Sequence, residues 1–83
     1  MSWKIEWSRH ALAELNKLET KDIQRIIQKL EQVSEDPQTH FQRLKGYDYY
    51  KLRVGDYRVI VLLLTTNKVI LVENLGHRKN IYK

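Results

Sequence analysis

Eighty-three residues, 42% of them hydrophobic, suffice for one modest core and are too few for two domains. The absence of cysteine excludes a disulfide framework and a thiolate metal site. The net charge of +5 is uneven: residues 1–40 carry six Lys/Arg against seven Asp/Glu, whereas residues 41–83 carry nine against three. The cationic excess therefore belongs to the second half, which predicts a face for an anionic partner.

The chain opens with Trp3, Ile5 and Trp7 alternating with Lys4 and Glu6, the period of a half-buried strand. This segment lacks the unbroken apolar stretch of a signal peptide, and the run Val59 to Leu64 is too short to span a bilayer. No membrane association is expected, and the default location is cytoplasmic. Ser8 is placed to cap a helix over about Arg9 to Leu18, with Ala11, Leu12, Leu15 and Leu18 on one face. Thr20 is placed to cap a second, over about Lys21 to Glu35, whose apolar stripe is Ile23, Ile26, Ile27, Leu30 and Val33. Pro37 is expected to end that helix, because its ring disfavours helical geometry at the residue before it. Two apolar stripes need a shared core, so a helical hairpin packed on a sheet is expected.

From Phe41 the period changes to that of strands. Tyr49 to Val54, Tyr57 to Leu64 and Lys68 to Leu75 form a predicted antiparallel meander, the middle strand central because its apolar run is nearly continuous. Gly55-Asp56 is a tight-hairpin signal and Thr66-Asn67 a weaker turn. The fold class is α+β: an N-terminal strand, a helical hairpin, then an antiparallel β-meander with the helices on one sheet face, all in one domain over residues 1–83.

A two-residue hairpin loop sets Val54 opposite Tyr57, Arg53 opposite Arg58, Leu52 opposite Val59 and Lys51 opposite Ile60. Alternation then gives Tyr50, Leu52, Val54, Tyr57, Val59, Val61 and Leu63 to an apolar face, and Tyr49, Lys51, Arg53 and Arg58 to the other. Facing arginines destabilise a sheet by about 0.2–1 kcal/mol, on the scale of cross-strand pairs. Folding does not require them; a phosphate between them removes the repulsion. The competing reading lets both guanidiniums splay into water or gives one to Glu73. The tail Gly76-His77-Arg78-Lys79-Asn80-Ile81-Tyr82-Lys83 adds cations and a tyrosine, and basic grooves with aromatic side chains hold single-stranded nucleic acid. There is no glycine-rich phosphate loop and no metal-spaced cluster, so neither a metal nor another cofactor is expected. RNA cleavage needs none, because the 2′-hydroxyl is an internal nucleophile and clustered cations can stabilise the phosphorane.

At three segments the chain resembles the RelE/ParE superfamily of toxins from toxin–antitoxin systems. They are Arg43-Leu44-Lys45-Gly46, Tyr50 through Val59, and Gly76 through Tyr82. The RelE branch of the resemblance implies a ribosome-dependent endoribonuclease that cuts messenger RNA in the A site, leaving a 2′,3′-cyclic phosphate and a 5′-hydroxyl. It implies a phosphate role for Arg58, transition-state charge or leaving-group protonation for Arg78, 2′-hydroxyl activation for Lys51 and base stacking for Tyr82. Arg43, Lys45, Tyr49, Arg53, His77 and Lys79 complete the expected RNA-contacting set. Tyr49 departs from the family pattern, in which a second lysine often stands two residues before the one matching Lys51. The resemblance also implies a small, acidic, RelB-like antitoxin that joins the toxin in a hetero-oligomer, with the ribosome and its message as further partners. The ParE branch implies instead a non-enzymatic inhibitor of DNA gyrase, and a non-catalytic RNA-binding domain is the third reading.

Overall fold

The computed structural model describes residues 2–43 and 49–77. In chain order the elements are β1 (Lys4–Trp7), α1 (Arg9–Asn16), α2 (Thr20–Val33), α3 (Pro37–His40), β2 (Gln42–Arg43), β3 (Tyr49–Val54), β4 (Tyr57–Leu64) and β5 (Val69–His77). The five strands form one sheet in the order β1-β5-β4-β3-β2, so β4 is central, as its apolar run predicts. β2 to β5 pair antiparallel with their neighbours, whereas β1 runs parallel to β5, from Lys4↔Val69 to Trp7↔Val72. The α+β expectation holds, and α3, β2 and the parallel closure add to it.

Ser8 caps α1 as its position predicts. It is extended (φ −70°, ψ 162°), and its Oγ accepts from the Ala11 N–H at 3.0 Å. The same hydroxyl donates to the Glu73 carbonyl at 2.9 Å, so one side chain both starts the helix and ties it to β5. Thr20 behaves otherwise than expected. It is the first residue of α2, and the N-cap is Glu19, which makes no side-chain capping bond. Asp22 in the first turn supplies the negative charge that the helix dipole favours there. Pro37 does not end α2. That helix stops at Val33, where Ser34 donates its hydroxyl to the Glu31 carbonyl at 2.6 Å, and Pro37 instead opens α3, where a missing N–H costs little.

The core lies between α1 and α2 and one face of the sheet. Ala11, Leu15, Ile26, Leu30 and Val33 from the helices meet Leu52, Val54, Val59, Val61, Ile70, Val72 and Leu75 from the strands, all buried. The β3–β4 register is the predicted one, with Arg53↔Arg58 and Val54↔Tyr57 flanking a two-residue turn. Gly55 has φ +58° at the first turn position, as a type II′ hairpin requires. Between β4 and β5 the register slips: Ile60 faces Asn74 but Val61 faces Val72, leaving Glu73 as the extra residue of a bulge. The slip turns both Val72 and Leu75 inward, although an uninterrupted strand would send them to opposite faces. Among the described residues, no helix is long and apolar enough to cross a membrane.

Candidate anion-binding site

The face turned away from the helices carries Tyr49, Lys51, Arg53 and Arg58, by the alternation that buries Leu52, Val54 and Val59 on the other side. Arg53 and Arg58 are direct cross-strand partners. On its other flank Arg58 faces Gly76, which has no side chain to crowd the guanidinium. Arg53 is exposed, and its Nε donates a long 3.5 Å bond to the Gly55 carbonyl. β2 covers β3 only at Tyr50 and Lys51; among the described residues, no strand pairs with Leu52 to Val54 on that side.

A cleft of about 390 Å³ opens at this uncovered edge. Lys51, Arg53 and Arg58 line it from the sheet, Gln42 from β2, His40 from α3 and Lys29 from α2. Among the described residues that line it there is no carboxylate. Four basic side chains and a histidine around one cleft create a strongly positive local potential suited to a phosphodiester. Arginine forks can hold two phosphate oxygens at once, and lysine adds a compact charge. The described residues hold no group of three His, Cys, Asp or Glu side chains suited to a metal ion.

The predicted site residues divide clearly. Lys51, Arg53 and Arg58 come together in the cleft, and Tyr49 shares their face at the register of Leu62. Arg43 pairs with Tyr50, and His77 with Tyr57, so both belong to the helix side of the sheet rather than to the Arg58 face. Lys45, Arg78, Lys79 and Tyr82 lie outside the described residues. The residues that sequence reasoning missed are Lys29, His40 and Gln42. Lys29 was legible: it lies on the polar side of α2, in the same helical period that marks the apolar stripe. His40 and Gln42 had no such signal, because neither belongs to an element long enough to show a period.

His77 packs edge-on against Tyr57, their ring centroids 5.9 Å apart at 75°. The Tyr57 hydroxyl donates to Asp22 of α2 at 3.3 Å. Burial, and then the neighbouring Asp22 carboxylate, hold the Tyr57 phenol above its usual range. A raised folded-state value means the neutral phenol supports the fold, fully so below the ordinary tyrosine range, and that support is lost as pH rises through the folded value. Replacing Tyr57 with phenylalanine should cost about 1 kcal/mol from the lost bond. It should also flatten the alkaline limb of a stability-against-pH profile. Urea titrations of both proteins at neutral and strongly alkaline pH check this, and parallel alkaline limbs would exclude Tyr57 as the group responsible.

The chain is thus a small α+β unit with both main helices on one sheet face and a cationic cleft at the edge of β3. Residues 5–82 match the family model described as ParE toxin of the type II toxin-antitoxin system parDE, and the chain belongs to that family, within the RelE/ParE superfamily. A Methanocaldococcus jannaschii protein carried under the toxin name RelE1 is 25% identical over 88 residues, spanning 100% of this chain and 98% of that protein. An E. coli RelE variant with two arginines replaced by alanine, solved in the free state, is 27% identical with a TM-score of 0.81, covering 98% of this chain and 88% of that one. The toxin in the intact E. coli RelBE toxin–antitoxin complex is also 27% identical, with a TM-score of 0.77 over 92% of this chain and 96% of that one. The protein is thus the toxin of a toxin–antitoxin system.

Proposed function

We propose that this toxin is a metal-independent endoribonuclease that cuts messenger RNA held in the ribosomal A site and so arrests translation in the cytoplasm. The observation that carries the reading is the gathering of Lys51, Arg53 and Arg58 around one cleft lined by no described carboxylate. In this reaction the 2′-oxygen attacks the adjacent phosphorus and the bond to the 5′-oxygen breaks. The products are a 2′,3′-cyclic phosphate and a 5′-hydroxyl; the 2′-hydroxyl loses a proton and the departing oxygen gains one. Arg58 holds the phosphate and meets the charge that builds on its oxygens. Lys51, on the same face, stands beside the 2′-hydroxyl and assists its deprotonation. Arg78 meets transition-state charge or protonates the leaving oxygen, Tyr82 stacks on a base, and Lys45 and Lys79 contact the RNA; these roles rest on the family resemblance. In-line geometry for a flexible strand can be worth about 7–11 kcal/mol, and a ribosome that already holds the message supplies it. The antitoxin is a small acidic RelB-like protein, in keeping with the RelBE complex that the fold matches. The whole chain acts as one toxin domain.

Inhibition of DNA gyrase is the second reading, favoured by the ParE description of the matching family model. One pair of assays separates the two. The toxin is incubated with programmed ribosomes and a labelled message, with free message alone, and with gyrase and plasmid. The expected result is cleavage on the ribosome, little on free message, and unimpaired supercoiling. Equal cleavage with and without ribosomes would remove the ribosome from the mechanism. Lost supercoiling without cleavage would establish the gyrase reading.

A further inference from the structure

The cleft at the edge of β3 does not stop at the sheet. A second cavity, of about 370 Å³, adjoins it and shares Lys29 and Arg53 with it. Its remaining walls are Arg25, Gln28 and Gln32 of α2, with Val54 and Gly55 of the hairpin. Arg25, Gln28, Lys29 and Gln32 follow the spacing i, i+3, i+4, i+7, so they form one stripe along α2. Arg25 reaches over the β3–β4 turn. A Cβ on Gly55 would come within 3.1 Å of its Nη1, a tight contact that a shift of the guanidinium would relieve, so Arg25 lies close against the turn.

The charges around this stripe do not cancel. Among the described residues, neither Arg25 nor Lys29 has a carboxylate within ion-pair distance. Asp22, one turn before Arg25, is engaged by the Tyr57 hydroxyl. Glu31 follows Lys29 by two positions, which turns it to a different side of the helix. Helix stability does not ask for two uncompensated cations one turn apart; like charges at that spacing destabilise a helix slightly.

We propose that the α2 stripe is a second RNA subsite: the strand bound at Lys51 and Arg58 continues past Arg53 and Lys29 and lays further phosphates against Arg25. This deepens the RNA-cutting reading above and rests on it. The lining chemistry favours a nucleic acid over a peptide. An amphipathic peptide helix needs a row of apolar anchors, and Val54 is the single apolar side chain among the described residues lining the second cavity. Gln28 and Gln32 both donate and accept, which suits ribose hydroxyls and base edges.

The test measures binding of 2′-O-methylated, uncleavable oligonucleotides, a dinucleotide and a decanucleotide, to the wild-type toxin and to Arg25→Gln, which removes a cation that lines the second cavity and not the first. The substitution is on the helix surface, and melting curves should superimpose. For a single strand, binding weakens with salt at a slope of about 0.7 per neutralised phosphate, so losing one contact should lower the slope for the decanucleotide by about 0.7. Its affinity at moderate salt should fall severalfold, while the dinucleotide, seated at Lys51 and Arg58, binds the variant and the wild type alike. Identical salt slopes for wild type and variant on the decanucleotide would overturn the second subsite and leave the cleavage reading standing. A wild-type toxin that binds neither oligonucleotide would also overturn the second subsite, whereas the cleavage reading falls only with the assay on programmed ribosomes. An unchanged slope with weakened capture of an acidic peptide would assign the stripe to a protein partner, against the proposal.

Discussion

Replacing Arg58 with alanine should lower the rate of ribosome-dependent cleavage by about 10²–10³-fold, the cost of removing one preorganised group that stabilises developing charge. The guanidinium sits on the sheet face opposite the core, between Arg53 on one strand and Gly76 on the other. Its removal leaves Val59, Val61 and Leu52 untouched beneath. It also ends a like-charge pairing across the hairpin, which offsets any packing lost with the aliphatic stem. The melting temperature should therefore stay within a few degrees of wild type while growth inhibition disappears. Arg43→Ala is the informative comparison, because Arg43 pairs with Tyr50 on the helix side and should retain most activity. The check is a cleavage time course on programmed ribosomes beside a thermal melt. Wild-type rates in Arg58→Ala would remove this residue from the chemistry. Collapse of its fold would mean that the guanidinium supports the sheet.

Leu30→Ala should have the opposite profile, a large loss of stability from a core residue that does not line the cleft. Leu30 is fully buried, within the cluster that joins α2 to the strands. Truncating a buried leucine costs about 2–5 kcal/mol in transfer and cavity terms together. A domain of this length holds only about 4–12 kcal/mol in all, at the usual stability per residue. At about 4–8 °C per kcal/mol for a chain of this size, melting should fall by tens of degrees. Leu12→Ala, on a residue 43% exposed, should cost about 1 kcal/mol or less. A shift in Leu30→Ala no larger than in Leu12→Ala would show that α2 is not seated on the sheet as described.

What could be read from the sequence follows the range of the forces involved. The β3–β4 hairpin was legible to the register, because a two-residue loop and strict alternation leave one pairing that buries Leu52, Val54, Val59 and Val61 together. The opposition of Arg53 and Arg58 follows from the same rule. The parallel pairing of β1 with β5 was not legible, since nothing local in Lys4–Trp7 says which distant strand it joins. β2 is two exposed residues, too few to show a period. His77 and Arg43 carry the right charge or chemistry for the site, but the parity of their registers turns them to the helix side. Summing charge by halves of the chain hid Arg25 and Lys29, because the acidic residues of the first half cancel them in sequence though not in space.

The pairing of β1 with β5 also governs the order in which the molecule can assemble. Ser8 donates its backbone N–H to Val72 and its hydroxyl to Glu73, a span of 65 residues for the second bond. The strand made first on the ribosome therefore has no neighbour, and α1 lacks its anchor, until nearly every other element has been synthesised. The β3–β4 hairpin can close early because its ends are close in sequence, but the sheet is complete only when the two distant strands meet. Contacts of such long range are slow to form, since loop entropy must be lost before they reward it. A chain still under construction thus holds its first strand and helix unmoored, and the finished toxin appears late, after β5 has emerged.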